Sequence, residues 1–411
     1  MLQTFYCQKE ILMEQARLKE LYYITHLDNL PSILERGILS HERIEKEDIQ
    51  VTPIYDDQIV KNRHDIETPD GKTLWSFVNL YYQPRNPMLY RVLCEKPKED
   101  IAVVGVWRGI SDRPDIFISD GNAAHSKSHI LPADEVQKAL PKIKNILDME
   151  WWNEEDGSKR KIMAECLVPD RIPPEYIRSV YVASYDAMKN DTMKKMAAKL
   201  KKHSIFINPE PKMFFEPFKK INLTPNLHIV EGDMFFSRMQ TLTVSVNCVG
   251  VMGKGLASKA KYQFPDVYVF YQDLCRNRTL KMGRPYIYKR ETSFDYELAD
   301  EPSTLKNANS ETWFLLFPTK RHWRDRADIH GIEEGLKWLK KNYKKEGIKS
   351  LALPALGCGL GWLEWREVGP LICRYLSSLE IPVWLYLPTE KKLSDEELSK
   401  DFLLSQQSKE G

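Results

Sequence analysis

An irregular stretch near the middle of the chain, residues 208–226, constrains the fold more than any other feature. It reads NPEPKMFFEPFKKINLTPN and holds four prolines without a long periodic pattern. Proline interrupts helices and central strands, so such a stretch between periodic regions is typical of a domain boundary. A chain of 411 residues is also long enough to bury two separate cores. The sequence therefore predicts two domains.

Short apolar runs after this boundary predict an α/β domain. They are Thr241–Val246, Trp313–Phe317, Ser350–Leu353 and Val383–Leu387, and runs of this kind suit strands buried on both faces of a sheet. Between them, apolar residues recur every three or four positions from residue 329 to residue 343, as on an amphipathic helix. Because strands alternate with helices, we expect a layered α/β domain with a largely parallel sheet.

The first half combines helices and strands without regular alternation. A short helix is predicted from Leu30, with Asp28 or Asn29 as its cap and Gly37 at its end. A second helix with a lysine-rich face is predicted from residue 186 to residue 202. The strand-like runs are Phe77–Tyr82, Ile101–Trp107 and Ala164–Val168. This mixture favours the α+β class.

Composition and charge exclude several classes of protein. With 42% hydrophobic residues, disorder is excluded as the main state. We find no run of the roughly 20 apolar residues that a membrane span needs and no secretory signal at the charged N-terminus. Seven scattered cysteines form no C-x-x-C pair, which indicates neither a disulfide framework nor a zinc site. We therefore expect a cytoplasmic protein without a metal or a membrane partner. The net charge of +2 restricts any nucleic-acid contact to a few phosphates and bases.

Two glycine-rich loops follow predicted strands of the second half. The first loop is residues 247–257, NCVGVMGKGLA, and the second is residues 355–362, ALGCGLGW. Glycines between a strand and a helix let backbone N–H groups approach an anion, and the helix N-terminus favours negative charge. Tight turns also take glycine for steric reasons. Two such loops at the carboxyl ends of neighbouring strands favour a pocket for a diphosphate.

These motifs, together with Gly232-Asp233 and FPTKRHW (residues 317–323), resemble the macrodomain fold, a three-layer α/β domain with a mixed sheet. Within that fold, residues 226–390 are most similar to the DarG antitoxins, which remove ADP-ribose from DNA. The resemblance implies that Asp233 binds the adenine end and that the two loops hold the diphosphate and distal ribose. The residues that it assigns to ADP-ribose are Asp233, Asn247, Gly250, Met252, Gly253, Lys254, Gly255, Leu356, Gly357, Cys358, Gly359, Leu360 and Gly361.

The same resemblance makes Lys254 the residue on which ADP-ribose removal depends. A lysine whose pKa is lowered by partial burial can attack or polarise the anomeric carbon of the distal ribose; its simpler role is to offset the diphosphate charge. Val244, Leu360 and Trp362 differ from the family pattern. A macrodomain that binds ADP-ribose without cleaving it therefore remains an alternative.

Two features of the first half carry candidate chemistry. Glu165 lies in the apolar run IMAECLV, where burying an unpaired carboxylate is costly. It either alternates towards solvent or faces a functional cleft. The run YYQPRNPM, residues 81–88, mixes aromatics with an arginine, which suits either a base-stacking platform or the core.

The first half resembles the DarT toxins, NAD-dependent transferases that attach ADP-ribose to thymine in single-stranded DNA. The resemblance covers residues 18–216 and rests on LYYITHLDNL followed by ILERG, on YYQPRNPM and on MAECLV. It implies an ADP-ribosyltransferase-like fold with Glu165 as catalytic residue. A placed carboxylate can accept the thymine ring proton as the nitrogen attacks the ribose. The residues assigned to NAD are Tyr23, Thr25, Asn29, Arg63 and Tyr81, and those assigned to DNA are Tyr82, Arg85 and Met88.

An active-site arginine is also implied between the first two motifs. Arg63 is the preferred candidate because a guanidinium matches phosphate and carboxylate geometry better than an ammonium; Lys61 is the alternative. Tyr23 stands where the family has histidine. The chain has no G-x-G-x-x-G, so NAD is expected as a consumed substrate and not as a redox cofactor.

Together, the two resemblances predict a self-contained toxin–antitoxin fusion that adds ADP-ribose to DNA and removes it again. Its expected partners are single-stranded DNA, NAD and ADP-ribose, with a contact between domains allowed and the oligomeric state left open. A transferase acting on protein or RNA is the other alternative. The predicted parts are a transferase domain at 1–218, a linker at 219–225, a macrodomain at 226–392 and a charged tail at 393–411.

Overall fold

The fold is described from a computed structural model that covers residues 18–55, 60–309, 311–388 and 392–405. The chain forms two compact units. The first consists of the residues up to Phe215 together with Asp295–Ala308, and the second of Glu216–Phe294 together with the residues from Asn309 onward. The first boundary falls within the proline-rich stretch. The second unit consists of two separate stretches of sequence, whereas the macrodomain predicted at 226–392 is continuous.

The first unit is built on one large sheet and a two-stranded ladder. Its strands are β1 (Glu20–His26), β2 (Ile38–Leu39), β3 (Phe77–Tyr81), β4 (Ile101–Trp107), β5 (Phe117–Ser119), β6 (Ile130–Pro132), β7 (Glu165–Pro169), β8 (Arg171–Ile172), β9 (Ile177–Val182) and β10 (Phe206–Pro209). The large sheet has the order β10-β9-β4-β1-β3-β7-β5-β6, and β2 pairs with β8. The paired neighbours of the large sheet run antiparallel except β9 and β10.

Helices lie between these strands as an α+β class requires. They are α1 (Leu30–Arg36), α2 (His41–Lys46), α3 (Pro87–Glu95), α4 (Val136–Leu147), α5 (Ser158–Lys161) and α6 (Asp191–Lys202). The predicted end of α1 is confirmed: Gly37 has φ +87°, and a Cβ there would lie 2.1 Å from the carbonyl oxygen of Ile172. Only glycine fits this close approach. The side chain of Asn29 makes no cap hydrogen bond to α1 and bonds elsewhere.

The second unit is a seven-stranded mixed sheet with helices. Its strands are β11 (Lys219–Asn222), β12 (Leu227–Glu231), β13 (Thr241–Asn247), β14 (Tyr286–Lys289), β15 (Trp313–Lys320), β16 (Leu351–Pro354) and β17 (Val383–Tyr386). The order is β11-β12-β17-β16-β13-β15-β14. The five central strands are parallel, while β11 and β14 are antiparallel edges. The four apolar runs that predict strands all lie in this sheet, which confirms the α/β class.

Helices cover both faces of this sheet and give three layers. They are α7 (Gly255–Gln263), α8 (Pro265–Arg276), α10 (Ile329–Glu346), α11 (Trp365–Leu376) and α12 (Lys400–Leu404). The helix α9 (Phe294–Leu298) comes between α8 and α10 in sequence, but its residues from Asp295 onward belong to the first unit. Leu315 and Phe317 of β15 join the core under α10 and α11. The alternate residue Phe314 faces the other side, with its ring 4.9 Å from that of Phe264. This alternation explains why β15 is apolar throughout.

Two stretches outside the predicted macrodomain contribute residues to the core of the second unit. Residues 219–222, predicted as linker, form β11, because Ile221 packs against the core while Lys220 lies over the Trp384 ring at 4.9 Å. The predicted tail contains α12, whose Leu403 is buried in the same core. Within the described ranges, no helix combines the length and apolarity needed to cross a membrane.

The segment Asp295–Ala308 lies between β14 and β15 in sequence but belongs to the first unit. The hydroxyl of Tyr90 donates to the Asp295 carboxylate at 2.7 Å. The Trp152 indole N–H donates to the carbonyl oxygen of Leu298 at 2.9 Å. Both hydrogen bonds are buried, so they are shielded from competition with water. The first unit is thus completed by residues that sequence order assigns to the macrodomain.

Candidate active sites

Glu165 is the best-defined candidate of the first unit. It opens β7, and its residue exposure is 0%. Its Oε2 accepts a hydrogen bond from Arg63 Nη2 at 2.9 Å, and its Oε1 accepts one from the Ala123 backbone N–H at 3.3 Å. A buried carboxylate requires such partners. The sequence leaves open whether Glu165 faces solvent or a cleft. The structure shows that it does not face solvent.

Arg63, and not Lys61, is the cation that meets this carboxylate. Its side chain is 12% exposed and lies in the turn Asn62–His64. Burial acts to lower the pKa of Arg63, but the Glu165 carboxylate more than offsets this effect, so the pKa is raised. Lys61 is exposed. The preference for arginine at this site is consistent with its forked donor geometry, since a second, longer contact joins Nη1 to Oε1 at 3.4 Å.

An aromatic stack supports the turn that carries Arg63. The Trp75 ring lies between His64 and His41, with centroid distances of 3.9 and 4.4 Å. Tyr55 contacts His41 Nδ1 through its hydroxyl at 3.0 Å. Burial and the positive charge of Arg63 lower the pKa of His41 to about 4, so this imidazole is neutral near pH 7. Sequence reasoning missed the stack because its members are separated by long stretches of chain.

Tyr81 is the third residue of this cluster. It pairs with Glu165 across β3 and β7, and with Tyr22 across β3 and β1. Burial, followed by the negative charge of Glu165, raises the pKa of Tyr81 well above its usual value. Tyr23 and Thr25 alternate with Tyr22 along β1, so their side chains leave the strand on its other side. Burial raises the pKa of Tyr23 to about 12, which keeps its hydroxyl protonated.

The predicted NAD residues Thr25 and Asn29 are joined to each other. Asn29 Nδ2 donates to Thr25 Oγ1 at 3.2 Å and to the Thr52 carbonyl oxygen at 2.8 Å. The Thr52 N–H donates to Asn29 Oδ1 at 2.8 Å. Asn29 therefore ties the segment at Thr52 to the end of β1. The predicted NAD contacts thus form two groups, one at Glu165 and one at Thr25.

The predicted DNA contacts do not form an open platform. Tyr82 is 1% exposed and Arg85 is 8% exposed. Arg85 donates to the Glu150 carbonyl oxygen at 2.9 Å, and its guanidinium lies 4.7 Å from the centre of the Phe215 ring. Both side chains are used in internal packing, and their contact with DNA stays a prediction. Met88 is half-buried in α3.

A solvent-open cleft of the first unit contains residues that the sequence did not indicate. Its lining includes Arg160, His125 and Asp300, together with Met163, which precedes Glu165 by two residues. Burial and the charge of Glu301 are the main causes that raise the pKa of Asp300 to about 6, with Glu165 adding to them. Asp300 comes from the segment Asp295–Ala308. No local pattern links it to a transferase, so only the folded chain reveals it.

The first glycine loop of the second unit is shaped by Asn247. Asn247 Nδ2 donates to the Val251 carbonyl oxygen at 2.6 Å, and Oδ1 accepts from the Val249 N–H at 3.0 Å. The Tyr271 hydroxyl donates to the same Oδ1 at 2.9 Å. The amide predicted to contact ADP-ribose is therefore engaged in holding the loop. Met252 is buried in the same loop.

Lys254 lies at the end of this loop, immediately before α7. Gly250 and Gly255 both have positive φ, and Gly253 and Lys254 are exposed. The sequence analysis considers a partly buried Lys254, whereas the structure leaves this residue exposed. Its backbone position at the helix N-terminus is one that favours an anionic group.

The second loop closes in a tight turn. Gly357 and Gly359 have φ of +76° and +67°, and the Cys358 N–H donates to the Ala355 carbonyl oxygen at 3.2 Å. Leu356 and Gly361 are buried, whereas Leu360 is exposed. Val244, which departs from the family pattern, is fully buried in β13. It contributes to the core and not to the loop surface.

The loop after β15 joins the two glycine loops. The Cys248 N–H donates to the Arg321 carbonyl oxygen at 3.0 Å, and the Ala327 N–H donates to the Gly361 carbonyl oxygen at 3.0 Å. Lys320 Nζ donates to the Leu360 carbonyl oxygen at 3.0 Å. Burial lowers the pKa of Lys320. Lys320 is thus a second lysine of this site. It lies within FPTKRHW, but nothing in the sequence sets it apart from the rest of that motif.

Asp233 follows β12 by two residues and caps the short turn Met234–Phe236. Its Oδ1 accepts a hydrogen bond from the Phe235 N–H at 3.1 Å. Among the residues described, no cluster of three or more His, Cys, Asp or Glu has an arrangement that could hold a metal ion.

Known proteins share both halves of this architecture. A family model described as ssDNA thymidine ADP-ribosyltransferase, DarT, matches residues 22–215, and the Macro domain model matches residues 309–372. A DNA ADP-ribosyl glycohydrolase of Thermus aquaticus is 38% identical over 40% of this chain and 42% of its own length.

One relative spans both units. A DNA ADP-ribosyl transferase–DNA ADP-ribosyl glycohydrolase fusion protein of Thermosipho africanus is 58% identical over 94% of this chain and 99% of its own length. A solved structure of Thermosipho africanus DarTG in complex with ADP-ribose covers 94% of this chain and 100% of that chain, with 56% identity and a TM-score of 0.88. The chain therefore belongs to the family of fusion proteins that join a DNA ADP-ribosyl transferase to a DNA ADP-ribosyl glycohydrolase.

Proposed function

We propose that the first unit transfers ADP-ribose from NAD to thymidine bases in single-stranded DNA and that the second unit removes it. The observation that carries this proposal is the buried Glu165–Arg63 pair, 2.9 Å apart, in the unit that matches the DarT family. A buried ion pair is expensive to desolvate and is weak evidence for stability. Its presence in a unit of this family therefore points to a catalytic role for the carboxylate and not to a role in stability.

Transfer replaces one glycosidic bond with another. The bond between the ribose anomeric carbon and nicotinamide breaks, and a bond from that carbon to the thymine ring nitrogen forms. The ring nitrogen must lose its proton in this step, and the Glu165 carboxylate accepts it as general base. Arg63 and the Ala123 N–H hold the carboxylate in one orientation. NAD is consumed as a substrate and is not recycled.

Removal is a hydrolysis at the same anomeric carbon. The two glycine loops bind the diphosphate and distal ribose through backbone N–H groups, with Asp233 at the adenine end. Water replaces thymine on the anomeric carbon, and the thymine nitrogen regains its proton. Lys254, exposed before α7, attacks or polarises that carbon. We assign Lys254 this role from the family resemblance and from its position at the loop end.

The two activities make the chain a self-contained toxin and antitoxin. The scattered cysteines and the use of NAD and DNA support a cytoplasmic location. Control by erasure requires that removal be faster than transfer. With removal faster than transfer, the same polypeptide makes the DNA adduct and keeps it from accumulating.

The substitution Glu165→Gln tests the transferase proposal. Glutamine keeps a carbonyl oxygen as acceptor for Arg63 but removes the base, so we expect transfer to fall by about 100- to 10,000-fold. Nicotinamide release from NAD, with a thymine-containing single-stranded oligonucleotide, measures transfer even where the adduct is erased. Glu35→Gln is the control, since Glu35 is an exposed carboxylate 3.6 Å from Lys199. Release by Glu165→Gln at the wild-type rate would refute the assignment.

A further inference from the structure

Two exposed tryptophans lie on the loops of the second unit. Trp362 is 63% exposed at the end of the second glycine loop, and Trp323 is 47% exposed in the loop after β15. Large aromatic side chains are normally among the most buried in a protein. The Ala327 N–H bond to the Gly361 carbonyl oxygen and the Lys320 bond to Leu360 join these two loops. Both tryptophans therefore flank the loops assigned to the diphosphate and ribose.

The backbone of Trp362 has an unusual conformation. Its φ and ψ are +58° and 22°, in the left-handed region that favours glycine. The Trp362 N–H donates to the Gly359 carbonyl oxygen at 2.9 Å, so the turn itself would form with glycine. An exposed tryptophan with a strained backbone conformation is not explained by the stability of the fold, which points to a functional role.

The loop that carries Trp323 is basic. The exposed residues of the loop after β15 include Arg321, Arg324 and Arg326, against the single exposed carboxylate of Asp325. The Arg324 guanidinium lies 4.6 Å from the centre of the Trp323 ring. Exposed aromatic rings beside cationic side chains are the combination that binds single-stranded nucleic acid, because bases stack on the rings and phosphates pair with the charges.

We propose that Trp323 and Trp362 form a stacking surface for the unmodified nucleotides that flank the ADP-ribosylated base in single-stranded DNA. This inference rests on the proposed glycohydrolase function of the second unit. It adds that the second unit recognises the DNA strand as well as the ADP-ribose. The strand continues on both sides of a modified base, so bases are available to any ring at the edge of the site.

The test compares two substrates that differ only in the flanking nucleotides. One is an ADP-ribosylated single-stranded oligonucleotide of ten nucleotides, and the other is the ADP-ribosylated thymidine nucleotide that nuclease digestion releases from it. We expect the wild-type chain, without NAD, to release ADP-ribose from the oligonucleotide with a kcat/KM about 5- to 100-fold higher. The variants Trp323→Ala and Trp362→Gly lose this preference, and Trp323→Ala, which lies outside the two glycine loops, keeps the rate on the single nucleotide.

The controls separate stacking from folding. Glycine suits the backbone of Trp362, so Trp362→Gly is expected to fold. Tyr262→Ala removes another exposed aromatic, 73% exposed at the far end of α7, and should keep the preference. Equal rates of the wild-type chain on both substrates, or an unchanged preference in both tryptophan variants, would overturn this inference. Either result would leave the proposed hydrolysis intact. A loss on both substrates would assign the tryptophans to the ADP-ribose pocket. Failure of the wild-type chain on both substrates would overturn the proposed hydrolysis itself and this inference with it.

Discussion

At the scale of single residues, the first unit depends on charges that are buried and paired. Glu165 meets Arg63 from a position 102 residues away in sequence. Removing one partner of a buried pair costs about 3–5 kcal/mol, because the other charge remains buried. Glu165→Ala is therefore a poor probe of chemistry, since it leaves Arg63 without its partner. Glutamine is the better substitution.

Asp300 gives the first unit a pH-dependent stability. The pKa of Asp300 is raised to about 6, chiefly by burial, whereas an unfolded chain releases this proton near pH 3.9. The folded state holds the proton more tightly. Ionisation of Asp300 therefore lowers the free energy of unfolding as the pH rises from about 4 through about 6, and it has no further effect above that range.

The variant Asp300→Asn removes this titration and keeps the backbone bond from residue 300 to the Pro87 carbonyl oxygen at 3.1 Å. We expect it to be more stable than the wild-type chain by about 1–3 kcal/mol at pH 7.5 and nearly equal to it at pH 4. Denaturant unfolding at the two pH values measures the difference. An equal difference at both pH values would show that Asp300 does not titrate in this range.

The sequence predicts these residues unequally. The apolar run around Glu165 leaves open whether this carboxylate faces solvent or a functional cleft, and only the family resemblance supplies its role. The burial of Tyr82 and Arg85 could not be predicted, because residue type does not reveal whether a side chain packs inward. Asp300 could not be predicted, since its neighbours come from a segment remote in sequence. Long-range pairing is set by the whole fold and leaves no local pattern.

At the scale of elements, strands and helices follow local patterns and were predicted well. The central strands of the second unit and the helix α10 match their apolar runs because burial on both faces demands continuous hydrophobicity. Edge strand β11 was missed because its residues alternate and lie beside prolines. The shapes of the glycine loops could be predicted only in part. They depend on backbone angles, which are set by the glycine positions and also by packing against residues from other parts of the chain.

Gly357 tests the loop geometry. It has φ +76°, and a Cβ would lie 2.7 Å from Leu363 Cδ1 and 3.0 Å from Ala327 Cβ. We expect Gly357→Ala to lose about 2–5 kcal/mol of unfolding free energy, from backbone strain and overpacking together. Calorimetric titration should show that ADP-ribose binding is lost as the loop is displaced.

The matched control is Gly347→Ala at the end of α10. Gly347 has φ +84°, but its nearest neighbour, in the Trp313 ring, is 3.4 Å from the added Cβ. This variant carries the strain of a left-handed residue without the clash, about 1–2 kcal/mol. Equal losses in the two variants would mean that packing around Gly357 does not set the loop.

At the scale of the whole molecule, the chain passes between its two units three times. It leaves the first unit after Phe215, returns for Asp295–Ala308 and leaves again. The returning segment buries Leu298 and Ala299 and supplies Asp300 to the transferase cleft. A chain that ends at residue 215 or 218 would therefore lack part of the core of the first unit.

Replacing residues 296–307 with a glycine–serine linker of equal length tests this dependence. We expect faster hydrogen exchange in α3, because the replacement removes Asp300, its hydrogen bond to Pro87 and the buried packing of the segment. Exchange in α10 should not change, since that helix belongs to the second unit. Exchange mass spectrometry of the full chain resolves both helices. Unchanged protection of α3 would show that the first unit is complete without the segment.

The most direct test of the account is mass spectrometry of a thymine-containing single-stranded oligonucleotide incubated with NAD. The wild-type chain, Lys254→Ala and the double variant Lys254→Ala/Glu165→Gln are compared. We predict an ADP-ribose adduct that accumulates with Lys254→Ala and is absent with the other two. An adduct that accumulates equally with the wild-type chain would contradict removal by the second unit, and no adduct with any chain would contradict transfer to DNA.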